Sequence, residues 1–343
     1  MAQGPHRRAG LTRRALVLGA PALAAGCGVG GPAGPDTADP RLAPEGPAAA
    51  AGRAPGWPAP EGPVPEPVAL PVSGGAGVPA TRWLPDGPRA AVLALHGFGD
   101  HGRSTYDAAA RAWGALGLAT HAPDQRGFGR GPTRGRWPGA DVLVADARAA
   151  MVEIRRRHPD LPLVLVGHSM GGGIALAAAA PGGDVPPPDA LVLAAPAIWG
   201  GTALNPLQRL AAWGAAAVFP DRRFTGEGVV RIQASDNIEA LRALGRDPYY
   251  LGAPSARELF GLVRVVDRAA EAAPEVTAPS LLLLGERDQI LPLGRVREIH
   301  ARLPGPREVL VYPDGWHLLF RDVQAPRVWD DVATFALAPG RAG

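Results

Sequence analysis

Eight short apolar runs set between helix-length segments restrict this chain more than any other feature of its 343 residues. They read "PEPVALPV", "PATRWLP", "AAVLALHG", "LATHAPD", "LPLVLVGHS", "DALVLAAP", "PSLLLLGE" and "REVLVYP", and each has the length and apolar density of a strand. Helical patterns fall between them, near residues 104–116, 139–157, 170–180, 293–303 and 325–338. Such alternation predicts an α/β fold, with a mostly parallel central sheet flanked by helices. Residues 198–274 interrupt it with helical pieces such as "NPLQRLAAWGAAAVF" and "SARELFGLVRVVDRAAEAA". They read as a helical cap inserted over the carboxyl edge of the sheet, where open α/β sheets hold their ligands. The core is then residues 67–197 and 275–340.

The segment before the core has a different character. Residues 28–66 are dense in Pro, Gly and Ala without apolar periodicity, which is the composition of a flexible linker. Residues 1–27 join a basic start to a short apolar stretch ending in Ala-Gly-Cys, the design of a signal peptide. Within it "TRRALVL" resembles a twin-arginine export signal and "LAAGC" resembles the lipobox of bacterial lipoproteins, although Ala24 stands where leucine is commoner. The expectation is an exported bacterial protein held at a membrane by a lipid on Cys27, with a soluble periplasmic or secreted protein as the alternative. Cys27 is the only cysteine, so no intramolecular disulfide supports the fold.

All 35 basic residues are arginines, and the formal net charge is +3. They are scattered among acids, apart from Arg155, Arg156 and Arg157 at the end of a predicted helix, where cations complement the helix dipole. That distribution argues against nucleic acid as a partner. Apolar residues make up 46% and charged residues 20%, the balance of a soluble globular domain.

Within "LVLVGHSMGGG", Gly167-His168-Ser169-Met170-Gly171 fits G-x-S-x-G, a strand that turns sharply into a helix with serine at the tip. Gly167 and Gly171 flank the turn because a side chain there would collide with the adjoining strand or helix. A serine attacks poorly without a base, so a histidine steadied by a carboxylate is required elsewhere. "LLLLGERDQILP" places Asp288 just beyond a strand, with Glu286 the nearest competitor, and "VLVYPDGWHLLFRD" places His317 beyond the next. The order Ser, acid, His is the one α/β hydrolases use. For the oxyanion, Met170 offers a backbone N–H at the helix start, and Phe98 offers a second in "ALHGFGDHG". His96, Gly97 and His168 support those loops, His96 by hydrogen bonding. The histidines at 96, 101, 121 and 168 follow strand ends and lack the spacing of a metal motif. Neither a metal nor any other cofactor is called for, since backbone donors and an imidazole meet the charge that acyl transfer develops.

"HGFGDHGRSTYDAAARAWGALGLATHAPDQRGFGRG", "GHSMGG", "RDPYYLGAPSARELFGLVRVVDRAAEAAPEVTAPSLLLLGERDQILP" and "GWHLLF" together resemble the monoacylglycerol lipase and lysophospholipase group of serine α/β hydrolases. The resemblance extends from about residue 67 onward. It implies Ser169 as nucleophile, Asp288 and His317 as its partners, Phe98 and Met170 as oxyanion donors, and a lipid ester as substrate. Between Trp199 and Ile238 no motif of the group is matched. Apolar cap residues, chiefly Trp199, Leu207, Trp213 and Phe260, are candidates for an acyl-chain tunnel. Phe219, Leu259, Leu262 and Val263 are further candidates. Other readings keep the same fold: a short-chain esterase or thioesterase, or a proline-type aminopeptidase gripping an amine with Glu227, Asp236 or Glu239. A non-catalytic binding protein is the reading from a different class. The sequence does not set the oligomeric state.

Overall fold

The computed structural model describes residues 60–200, 206–224 and 232–339. The leader, its arginine pair, Cys27, Glu227 and most of the linker lie outside these. Eight strands form one sheet in the order β1-β2-β4-β3-β5-β6-β7-β8. They are β1 (Glu66–Val72), β2 (Gly75–Trp83), β3 (Ala90–Leu95), β4 (Leu118–Pro123), β5 (Leu163–His168), β6 (Ala190–Ala194), β7 (Ser280–Gly285) and β8 (Arg307–Tyr312). From β3 onward every pairing is parallel, whereas β1 and β2 join antiparallel at one edge. The inner strands β3 to β7 are buried on both faces, and for that reason their sequences are mainly apolar, with Thr120 and His121 of β4, His168 of β5 and Ser280 of β7 as buried polar exceptions. Edge strands β1 and β8 expose about every other residue or more.

Helices α1 (Gly102–Ala115), α2 (Ala140–Arg157), α3 (Met170–Ala179), α7 (Leu293–His300) and α8 (Ala325–Leu337) cover the sheet. Between β6 and β7 the chain makes α4 (Pro206–Val218), α5 (Ile238–Arg246) and α6 (Ala256–Ala272). Asn237 caps α5 by accepting from the Ala240 N–H at 3.1 Å, a start signal present in the letters "DNIEALRALGR". Helix α6 opens with a reciprocal capping box between Ser255 and Glu258. At the end of α2, Arg156 and Arg157 pair with Glu153, and Arg155 pairs with Asp189. The run of cations is thereby neutralised locally and sits beside the helix's negative end.

Helix α3 is buried along its whole length, which a polar or bulky sequence could not tolerate. Its first turn carries Gly171, Gly172 and Gly173, each of which lowers helix stability by about 1 kcal/mol relative to alanine. Close packing requires them nonetheless. A Cβ on Gly171 would lie 2.1 Å from the Leu95 carbonyl oxygen, and one on Gly173 would lie 2.6 Å from that of Ala197. The start of α3 is thereby pressed against the end of β3. The chain leaves β3 for β4 on one side and reaches β5 on the other, so a topological switch point opens between β3 and β5.

Candidate active site

Ser169 occupies that switch point, immediately beyond β5. Its φ of 51° is in the left-handed region, which non-glycine residues avoid, and the strain is held by four backbone bonds. The Ser169 N–H donates to Ala194 at 3.0 Å, while its carbonyl accepts from Gly172, Gly173 and Ala197 at 2.9, 3.2 and 2.8 Å. Gly167 cannot carry a Cβ, because it would meet the Gly171 carbonyl at 2.4 Å. The serine hydroxyl is thus lifted from the sheet edge by geometry in which its neighbours have no freedom.

Two loops from later strands meet it. The Ser169 hydroxyl and His317 Nε2 are 2.9 Å apart, and His317 Nδ1 and Asp288 Oδ2 are 2.8 Å apart. These partners define one tautomer: Nδ1–H donates to the carboxylate, leaving Nε2 to accept the hydroxyl proton. Asp288 Oδ1 accepts from the Ile290 and Leu291 N–H groups at 2.7 and 3.1 Å. Burial alone would raise the Asp288 pKa, but His317 and these backbone donors outweigh it and hold the group below its ordinary value. The competing carboxylate, Glu286, is exposed. Sequence order and spatial convergence therefore select the same three side chains.

The supporting residues have distinct partners. His96 Nδ1–H donates to the Gly97 carbonyl at 2.8 Å, and its Nε2 accepts from the Gln125 N–H at 2.9 Å. Burial lowers its pKa, so the imidazole is neutral and serves as a two-sided peg for the loop after β3. His168 Nε2 donates to the His317 carbonyl at 2.9 Å. Burial first and the proximity of His317 second push the His168 pKa down to about 3, so it does not compete for protons near neutrality. His101 Nε2 bonds Asp247 at 2.9 Å and His121 bonds His158 at 3.0 Å, so the four histidines in question serve four separate places.

Gly97 brings the loop after β3 alongside the serine: a Cβ there would lie 3.3 Å from that of Ser169. Gly97 and Phe98 line the same cleft as Ser169, His168 and His317. Phe98 is braced edge-on by Phe128, with centroids 5.2 Å apart, and stacks on Trp137. Met170 is the first residue of α3, whose amino end points partial positive charge at the serine.

The cleft is narrow, with a cavity volume of about 60 Å³. Trp199, Leu244, Leu262, Ile290, Leu291 and Leu318 give it an apolar wall. Of the predicted tunnel residues, Trp199 and Leu262 are there. Leu207, Trp213 and Phe260 are not among the lining residues, and neither are Phe219, Leu259 and Val263. Leu207, Trp213 and Phe219 are 64%, 56% and 57% exposed on or just after α4. Of the acids considered for an amine grip, the two among the described residues have partners elsewhere: Asp236 accepts from the Val323 N–H, and Glu239 pairs with Arg242. The cleft's own acid, Asp100, is buried against Arg321. Burial opposes its ionisation, but Arg321 and His101 hold its pKa down at about 2.

A hydroxyl, imidazole and carboxylate so joined on this sheet define a serine hydrolase of the α/β-hydrolase fold. Residues 86–324 match the family described as "Serine aminopeptidase, S33". A monoacylglycerol lipase of Mycolicibacterium smegmatis is 31% identical, over 77% of this chain and 94% of its own. The monoglyceride lipase of Homo sapiens is 28% identical, over 73% and 82%. The solved monoacylglycerol lipase of Paleococcus ferrophilus superposes with a TM-score of 0.63 at 19% identity, covering 76% of this chain and 98% of that one. The chain belongs to this serine-hydrolase family, and it is a serine ester hydrolase.

Proposed function

We propose that the protein hydrolyses carboxylic esters of single-chain lipids, monoacylglycerols or lysophospholipids, through an acyl intermediate on Ser169. The observation that carries this reading is the continuous Ser169–His317–Asp288 relay opening into a cleft with an apolar wall. The relatives named monoacylglycerol lipase support the substrate class.

In this scheme Ser169 Oγ attacks the ester carbonyl as His317 Nε2 takes its proton. The Phe98 and Met170 N–H groups receive the developing oxyanion. Collapse expels the alcohol, which takes the proton back from Nε2. Water then repeats the cycle on the acyl-enzyme and frees the fatty acid. Asp288 keeps the imidazole oriented and favours its charged form, while the apolar wall shelters the acyl chain.

A panel of monoacylglycerols, lysophosphatidylcholine, nitrophenyl esters of graded length and prolyl nitroanilide tests the assignment. Ester turnover is expected to rise with acyl length and to fall by about 10⁴-fold or more in Ser169→Ala. Cleavage of the anilide in preference to every ester would contradict it. We also propose export and lipid attachment at Cys27, since a basic start and a short apolar stretch lead into "LAAGC", a context that suits acylation. Metabolic labelling with an alkynyl fatty acid should mark the chain and spare Cys27→Ser; equal labelling of both rejects the anchor.

A further inference from the structure

The loop bearing His317 is not held by the core alone. Ala234 to Asn237, a cap segment between α4 and α5, lies along it and exchanges hydrogen bonds at four points. Leu318 N–H donates to the Ala234 carbonyl at 2.9 Å, and Val323 N–H donates to Asp236 Oδ1 at 2.9 Å. Asn237 Nδ2 donates to the Arg321 carbonyl at 2.7 Å, and the Ser235 hydroxyl bonds Asp322 Oδ1 at 2.6 Å.

Asp322 is the centre of this arrangement. It is fully buried, and its second oxygen, Oδ2, accepts from the Trp316 N–H at 2.7 Å. Trp316 immediately precedes His317. One carboxyl therefore links a cap hydroxyl with the backbone N–H of the residue just before the imidazole-bearing one. Ser235 is likewise fully buried, and its hydroxyl oxygen also accepts from the Asn237 N–H at 3.1 Å. Neither side chain lines the cleft. Their place is behind the histidine, out of reach of substrate.

We propose that Asp322 and Ser235 are positioning residues for His317, through which the cap segment sets the aim of Nε2 at Ser169. The proposal rests on the catalytic reading given above. A misplacement of about 1 Å in such a relay costs roughly 100-fold in rate, so two buried short bonds next to the histidine are enough to matter. The carboxyl does this in either protonation state: ionised, its Oδ1 accepts from the Ser235 hydroxyl, and protonated, its Oδ1–H donates to Ser235 Oγ, while Oδ2 accepts from the Trp316 N–H in both. Burial, with Asp236 nearby, pushes the Asp322 pKa up to about 7, although Ser235, the Trp316 N–H and His317 oppose the rise. An asparagine can reproduce the arrangement: its Nδ2 donates to Ser235 Oγ and its carbonyl accepts from the Trp316 N–H.

The test compares wild type, Ser169→Ala, Asp322→Ala, Asp322→Asn and Ser235→Ala on one lipid ester and on its nitrophenyl counterpart. Asp322→Ala is expected to lower kcat by about 10- to 100-fold at nearly unchanged KM. The loss should be greater on the lipid ester, whose poor leaving group needs the proton from Nε2, than on the nitrophenyl ester, which does not. Asp322→Asn should recover most of the rate, and Ser235→Ala should fall between. Thermal melting shows that each variant is folded; if Asp322→Ala does not fold, Ser235→Ala carries the same comparison. Full kcat in Asp322→Ala or Ser235→Ala, or equal losses on both esters, overturns the proposal. Should Ser169→Ala retain activity instead, the catalytic reading fails and the positioning role with it.

Discussion

The two halves of the cap contrast in how they are joined to the core. Residues 234–251 are stitched to both loops that frame Ser169: to the His317 loop by the bonds around Asp322, and to the loop after β3 through Asp247 to His101 and the Leu251 N–H to Gly99 at 2.7 Å. Helix α4 instead turns Leu207, Leu210 and Trp213 outward, all more than half exposed. Its polar tie to the neighbouring helix is Arg209 against Asp267 on α6. One half is therefore part of the catalytic architecture, while the other bears an apolar face that the active-site geometry does not use. Apolar content says nothing of this difference, since both halves are rich in Leu and Ala.

The strongest way to sharpen that contrast is Arg321→Met, which leaves Asp100 buried in the loop after β3 without its cation. Removing one member of a buried pair costs about 3–5 kcal/mol. The pH dependence should also change. In the parent protein the Asp100 pKa is lowered from 3.8 to about 2, so its stabilisation is present above pH 3.8 and is lost as pH falls toward 2. Without Arg321, burial is opposed only by His101, His96 and the His101 N–H, so that pKa rises above its parent value and the variant should lose stability relative to the parent as pH rises. Melting temperatures at pH 5 and pH 8 check this, and a parallel response in both proteins would contradict it.

A smaller effect is expected from the other half. Trp213→Ser on the exposed face of α4 should alter stability by no more than about 0.5 kcal/mol and leave nitrophenyl butyrate hydrolysis unchanged. Denaturant unfolding is the direct check. A loss above about 1 kcal/mol would mean that this face is covered in the whole protein, and the contrast between the two halves would dissolve.

Much of this was legible in the letters. Strands buried on both faces are written mainly in Val, Leu and Ala, so β3 to β7 stand out even where β4 interrupts the run with Thr120 and His121, and Ser169, Asp288 and His317 each follow a strand end. The glycines at 167 and 171 announced a turn too tight for any side chain. What escaped was directional. Leu207, Trp213 and Phe260 are large and apolar, but a helix presents successive residues to different sides; Leu262 lines the cleft and Phe260, two positions earlier on α6, does not. Helix α5 is absent from the helices expected above, although Asn237 and the spacing of Ile238, Leu241 and Leu244 signal it. Ser235, Asp322, Asp100 and Arg321 carry no motif, because the pairs Ser235–Asp322 and Asp100–Arg321 join positions 87 and 221 apart in the chain.

The central claim is that Ser169, and no other serine, is the nucleophile. Intact-mass measurement after a fluorophosphonate probe tests it most directly. One adduct is predicted on the folded wild-type protein, mapped by peptide sequencing to Ser169, with none on Ser169→Ala. An adduct on the folded Ser169→Ala protein, or a folded wild type that stays unlabelled, would contradict the account.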